Sequence, residues 1–187
     1  MSHRTWFKNY LKHPLQLGAL FPSSPALGSL MVKHIKPRTN GRILELGAGI
    51  GSFTNALIRK GVPEEQLVVL EQSKDFTEIL EQAFPNANVV CGNAKDLSGI
   101  LSQLAIENVD EVVSGIPLNA MGKMLREVIC DEAFKYLKPG GSFVQVSYLP
   151  RCPVPKNVIA KHGGKKIFCG ITVKNIPPAF VWRIEKT

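Results

Sequence analysis

The chain has 187 residues, 44% of them hydrophobic and 20% charged, the balance of one globular domain rather than of a disordered chain. Its four cysteines, Cys91, Cys130, Cys152 and Cys169, show no C-x-x-C spacing, which argues against a zinc site or a secreted disulfide framework and fits a reducing compartment. The net charge of +8 is uneven: residues 1–60 carry +8, residues 61–150 carry −7 and residues 151–187 carry +7, so both ends attract phosphate, whether of nucleic acid or of lipid.

A helix over residues 3–12 places Trp6, Phe7, Tyr10 and Leu11 on one side and Lys8, Asn9 and Lys12 on the other, with Arg4 nearby. An apolar face beside a basic one is what an interfacial membrane helix needs, the alternative being a helix packed on the protein's own core or on a partner. Residues 1–14 are read as a basic amphipathic arm and residues 15–187 as the folded domain. Residues 13–32 hold no Lys, Arg, Asp or Glu, yet Pro14, Pro22 and Pro25 interrupt any spanning helix. The apolar piece at 15–21 is too short for a cleaved signal, so a cytoplasmic protein is expected.

Ser24 and Pro25 open a helix reaching about residue 35. Residues 42–46 form a strand and 52–60 a helix ended by Gly61. A near-continuous apolar strand at 67–71 is of the kind buried on both faces. Ser73 caps a helix to about residue 84, followed by a strand at 88–91, a short helix at 97–104 and a strand at 109–114. A longer helix from about 121 to 137 stops at Lys138-Pro139-Gly140-Gly141, before a strand at 142–148. Late strands at 166–173 and 179–185 flank Asn175-Ile176-Pro177-Pro178 as a hairpin that adds an antiparallel member to the sheet edge. Lys156, Lys161, Lys165 and Lys166 form either a second contact or a solvated loop. Strands alternating with helices indicate an α/β fold with a mostly parallel sheet.

The sharpest signal is Glu45-Leu46-Gly47-Ala48-Gly49-Ile50-Gly51, between a strand and a helix. Glycines there permit a tight turn and bring a ligand close to main-chain N–H groups. The spacing G-x-G-x-G is not that of a dinucleotide fold, and no G-x-x-x-x-G-K-[ST] is present. Glu71 closes the next strand, where a carboxylate accepts from both ribose hydroxyls of a nucleoside.

These residues resemble motif I of class I S-adenosylmethionine-dependent methyltransferases. The resemblance implies a Rossmann-like fold with a seven-stranded, mostly parallel sheet, one antiparallel strand and helices on both faces. It implies that Gly47, Gly49 and Gly51 line the methionine and ribose, that Glu45 lies near the cofactor's amino group, and that Glu71 holds the ribose. Gly92-Asn93-Ala94 matches the family's G-D-A at the adenine, with Asn93 where the family usually has Asp. Its side-chain carbonyl still accepts from an adenine amine.

The loop after the fourth strand reads Ser114-Gly115-Ile116-Pro117-Leu118-Asn119. In the related rRNA adenine dimethylases it is Asn-Leu-Pro-Tyr, whose Tyr stacks on the base. Leu118 offers no such platform, which counts against base methylation. The S-G-x-P-L form resembles the soluble bacterial phospholipid N-methyltransferases, as do Gly18 to Leu27, Phe143 to Tyr148 with Pro150, Pro153 and Val154, and Asn175 to Trp182. That resemblance implies methylation of phosphatidylethanolamine towards phosphatidylcholine by a peripheral protein on the inner face of an anionic membrane. By the same resemblance Ser114 and Pro117 orient the amine, Ser114 also borders the cofactor, and Tyr148 is either the base or a residue packed at the sheet's rim. Arg151 pairs with the lipid phosphate or is plain surface charge. No metal site is expected, because the four histidines are unclustered. The alternatives are an RNA adenine-N6 methyltransferase and a non-catalytic cofactor-binding, membrane-docking protein.

Overall fold

A computed structural model describes residues 23–187. The strands are β1 (Ile43–Leu46), β2 (Leu67–Glu71), β3 (Asn88–Cys91), β4 (Val109–Ser114), β5 (Leu137–Ser147), β6 (Gly164–Thr172) and β7 (Ala179–Lys186). They form one sheet in the order β3-β2-β1-β4-β5-β7-β6. The helices are α1 (Pro25–Met31), α2 (Ser52–Arg59), α3 (Lys74–Ala83), α4 (Leu97–Gln103), α5 (Lys123–Tyr136) and α6 (Lys156–Lys161).

Side chains alternate across the sheet with the period of two that a strand imposes. Ile43, Val69, Val113 and Val144 pack with Leu27, Phe53, Leu57 and Leu80 of α1–α3. Their neighbours Leu44, Val68, Val112 and Phe143 pack on the other face with Leu97, Phe134 and Val158 of α4–α6. Burial on both faces explains why β1 and β2 read as nearly unbroken apolar runs. Ser24 caps α1 by accepting from the Leu27 amide at 3.2 Å. That helix ends at Met31, four residues short of expectation.

Three details depart from the sequence reading. The antiparallel strand is not at the edge: β7 lies between β5 and β6, and β6 runs parallel to the first five strands. The burial pattern gives the reason. In β7, Ala179, Val181 and Ile184 are buried, whereas β6 carries exposed Lys165 and Lys166, which suit an unpaired edge. The run Lys138-Pro139-Gly140-Gly141 is no separate loop but the irregular start of β5, where pairing slips from Val109↔Leu137 to Glu111↔Ser142. Gly141 is required there, because a Cβ would meet the Asp110 carbonyl at 2.4 Å. Finally, Lys156 and Lys161 bound a short helix rather than a solvated loop, with Val158 and Ile159 buried beneath it.

Asp110 ties the far edge of the sheet together. It accepts from the Arg42 amide at 2.8 Å, from Arg38 at 3.0 Å and from Lys138 at 3.0 Å. Burial alone raises its pKa, but the Arg42 N–H and the two cations outweigh it and the net shift is downward from 3.8. A depressed carboxylate stabilises the fold above its unfolded value and loses that contribution as pH falls through its folded value. Asp110→Ala should therefore lower stability by about 1–3 kcal/mol near pH 7, with the gap to wild type closing below pH 3.8. Urea melts across that range measure it.

Candidate active site

The chain order reverses between β1 and β4, and a crevice at the carboxyl ends of strands opens where such a reversal occurs. The glycine loop leaves β1 at this point. Gly47, Gly49 and Gly51 all have left-handed φ, at 69°, 58° and 84°. Their surroundings differ. A Cβ on Gly47 would meet Ile116 at 2.9 Å and one on Gly51 would meet Phe84 at 2.6 Å, whereas one on Gly49 would meet nothing within 4 Å. Two of the glycines thus let the fold close on itself, and the third borders free space.

Glu45 is fully buried at the end of β1. Its Oε2 accepts from the Thr54 hydroxyl at 2.7 Å, while Oε1 has no partner. Burial pushes its pKa up to about 7, against the Thr54 hydrogen bonds and with a smaller push from Glu71. An unpaired buried carboxylate oxygen is costly, and an ammonium group relieves it. At the end of β2, Glu71 accepts from the Gly49 amide through Oε2 and from the Ser73 amide through Oε1, both at 2.9 Å. Ser73 begins α3 as expected, but its hydroxyl makes no cap bond. Asn93 follows β3, and its Oδ1 accepts from the Lys95 amide at 3.1 Å beside buried Ala94.

The free space over Gly49, the orphaned Glu45 oxygen and the Glu71 carboxylate all belong to the same strand ends. They fit a ligand that carries both an ammonium group and a ribose, as S-adenosylmethionine does.

On the other side of the reversal, the loop after β4 is held from β5. The Gln145 amide donates to the Ile116 carbonyl at 2.9 Å, and the Asn119 amide donates to the Ser147 hydroxyl at 2.9 Å. Gly115 donates to Leu46 at 2.8 Å, which ties this loop to the glycine loop. Ser114 Oγ, Asn119 Oδ1 and Gln145 Oε1 are buried without partners. Pro117 is half-buried, and Leu118, 1% exposed, is a core residue. Tyr148 is half-buried against the α1–α3 side of the core, and Arg151 is exposed.

Arg4, Trp6, Phe7, Lys8, Tyr10 and Lys12 lie outside the described residues, as does the stretch from Gly18 to Pro22. Thr54, Asn119 and Gln145 were not singled out from the sequence. Gln145 left a trace there, as a polar residue inside the apolar strand Phe143-Val144-Gln145-Val146. Among the described residues no group of three or more His, Cys, Asp or Glu is placed to hold a metal ion, and no helix is long and apolar enough to cross a membrane.

Known proteins share the family and the fold. The methyltransferase domain family model matches residues 43–141, from β1 into β5. An ornithine lipid N-methyltransferase of Singulisphaera acidiphila is 37% identical over 75% of this chain and 75% of its own length. A ribosomal RNA small subunit methyltransferase A of Hydrogenobaculum is 26% identical over 65% of this chain, which spans 46% of that protein. Among solved structures, a Bacillus cereus O-methyltransferase in complex with SAH superposes with a TM-score of 0.62 at 18% identity, over 95% of this chain and 91% of that one. A Geobacter metallireducens precorrin-6y C5,15-methyltransferase superposes with a TM-score of 0.64 at 16% identity, over 87% of this chain and 88% of that one.

Proposed function

Because the chain belongs to the methyltransferase domain family, as a class I enzyme whose cofactor is S-adenosylmethionine, we propose that its acceptor is the primary amine of a membrane lipid, phosphatidylethanolamine or an ornithine lipid. In this reading it works peripherally at the inner face of the membrane. The observation that carries the proposal is the loop after β4. Ser114 Oγ and Asn119 Oδ1 are buried oxygens without partners, and an amine brings N–H groups to satisfy them. The similarity to an ornithine lipid N-methyltransferase supports the same acceptor class.

When bound, the cofactor supplies an electrophilic methyl group on a positively charged sulfur. This chain's task is to hold a nitrogen in line with it and to keep water away. In the proposed arrangement Glu45 takes the cofactor's ammonium, Gly49 makes room for it, Glu71 accepts from the ribose and Asn93 with Ala94 borders the adenine. Ser114 and Asn119 accept from the amine, so that its lone pair points at the methyl. Gln145 fixes the Ile116 carbonyl before Pro117, and Tyr148, at the same edge of the sheet, is the further candidate to accept a proton. With phosphatidylethanolamine as the acceptor, this reading gives exposed Arg151 the lipid phosphate as its partner. The similarity to rRNA methyltransferases keeps RNA as the competing acceptor, but buried Leu118 gives a flipped base nothing to stack on.

Pro117→Ala should lower kcat about tenfold while leaving cofactor affinity nearly unchanged, because the loop positions the acceptor rather than the cofactor. Turnover measured beside calorimetric cofactor titration separates the two. The acceptor class itself is tested by incubation with methyl-labelled cofactor and either vesicles of phosphatidylethanolamine or ornithine lipid, or structured rRNA. Label in the lipid fraction supports the proposal, and label in RNA alone refutes it.

A further inference from the structure

Nine large apolar side chains are exposed among the described residues, and their distribution is uneven. Six lie in segments at the carboxyl edge of the parallel strands, where the glycine loop and the Ser114 loop open: Ile50 (41% exposed), Met124 (81%), Leu125 (41%), Leu149 (42%), Val173 (74%) and Ile176 (77%). None lies in the loops at the opposite edge, which carry charges of both signs instead, among them Lys36, Arg38, Glu65 and Glu107. Single exposed apolar residues are ordinary, but a set gathered on one face marks an interaction surface.

Charge around five of these tips is one-sided, while the same edge also carries exposed Asp75 and Asp96 after β2 and β3. Segments 115–126, 148–156 and 173–178 contain Lys123, Arg126, Arg151, Lys156 and Lys174 and no Asp or Glu. Apolar tips among cations are what an anionic bilayer surface accommodates: the tips enter the headgroup region and the cations meet phosphates. The β6–β7 turn is built to present its tips. Buried Asn175 points inward, accepting from the Ser24 amide at 2.9 Å and donating to the Pro177 carbonyl at 2.9 Å. Val173 and Ile176, on either side of it, stay outside.

We infer that the carboxyl edge of the sheet, centred on Val173 and Ile176 with Met124 and Leu149, is a bilayer-docking face that sets the active-site mouth directly against the headgroup layer. This inference rests on the lipid-amine reading. A docked enzyme meets the amine without drawing the lipid out of the membrane, which explains why the acceptor loop and the apolar rim share one edge.

The test compares the full chain with Val173→Glu/Ile176→Glu, and with Ser102→Glu/Gln103→Glu as a control that adds the same charge at exposed positions on the opposite edge. Each is co-sedimented with vesicles of phosphatidylglycerol and phosphatidylethanolamine, and each is assayed on phosphatidylethanolamine dispersed in detergent. The expected result is a loss of vesicle binding by about tenfold or more for the rim variant only, with its turnover on dispersed lipid retained. Unchanged vesicle binding in the rim variant overturns the docking face. So does a wild type that sediments as a dimer while the rim variant is a monomer with full vesicle binding, since a second copy then covers the rim. If no lipid is methylated in either form, the lipid-amine reading fails, and vesicle binding still reports separately on the surface.

Discussion

Gly49→Val should weaken S-adenosylmethionine binding by about a hundredfold or more, some 2.7 kcal/mol, and leave a folded protein. The space over Gly49 is empty of protein atoms within 4 Å of a Cβ, so the new side chain displaces ligand and not neighbours. The left-handed φ of 58° adds strain of roughly 1–2 kcal/mol, which a domain of ordinary stability tolerates. Gly47→Val and Gly51→Val provide the contrast. Their side chains would run into Ile116 and Phe84, so these variants should lose thermal stability before any affinity can be read. Calorimetric titration beside thermal melts separates the two classes. Unchanged affinity in a folded Gly49→Val protein would remove the loop from the cofactor site.

Glu45→Gln should move stability and affinity in opposite directions. Glu45 is fully buried and its pKa is raised from 4.5 to about 7, chiefly by burial. For a raised pKa, the contribution to stability is complete below the unfolded value and is lost as pH rises through the folded one. The penalty for ionising Glu45 is thus absent below pH 4.5 and full above about 7, where it reaches on the order of 3 kcal/mol. Glutamine still accepts from Thr54 but cannot ionise. The cofactor-free variant should melt higher than wild type at pH 8 and about equally at pH 4.5. Its cofactor affinity should fall about tenfold to a hundredfold, the value of a hydrogen bond to a charged group. Wild-type affinity should rise with pH through 7 as Glu45 ionises, and the variant's should not. Melting differences that ignore pH, or unaltered affinity, would contradict the placement of an ammonium group at Glu45.

Local chemistry made much of the fold legible. β2, β3 and β4 lie where their β-branched runs and flanking turn residues put them, and α2 ends before Gly61. What escaped the sequence depends on contacts between distant segments. The insertion of β7 between β5 and β6 follows from which hairpin strand buries its side chains, and that is decided across the sheet. A six-residue helix such as α6 is too short to show a period. The candidate site divides in the same way. The glycine loop and Glu71 announce themselves by spacing, but Gly49 is told apart from Gly47 and Gly51 only by Ile116 and Phe84, which arrive from other elements. The support of the acceptor loop by Gln145 and Ser147 likewise needs β4 and β5 side by side.

The central claim is that a lipid amine receives the methyl group. Vesicles of phosphatidylethanolamine, and matched vesicles whose lipid carries an N-acetylated headgroup, can be offered with methyl-labelled S-adenosylmethionine, and label read in the organic extract. The account predicts time-dependent label in the free-amine lipid and none above background in the blocked one. Equal label in both, or label in neither beside labelled rRNA in the parallel reaction, would contradict it.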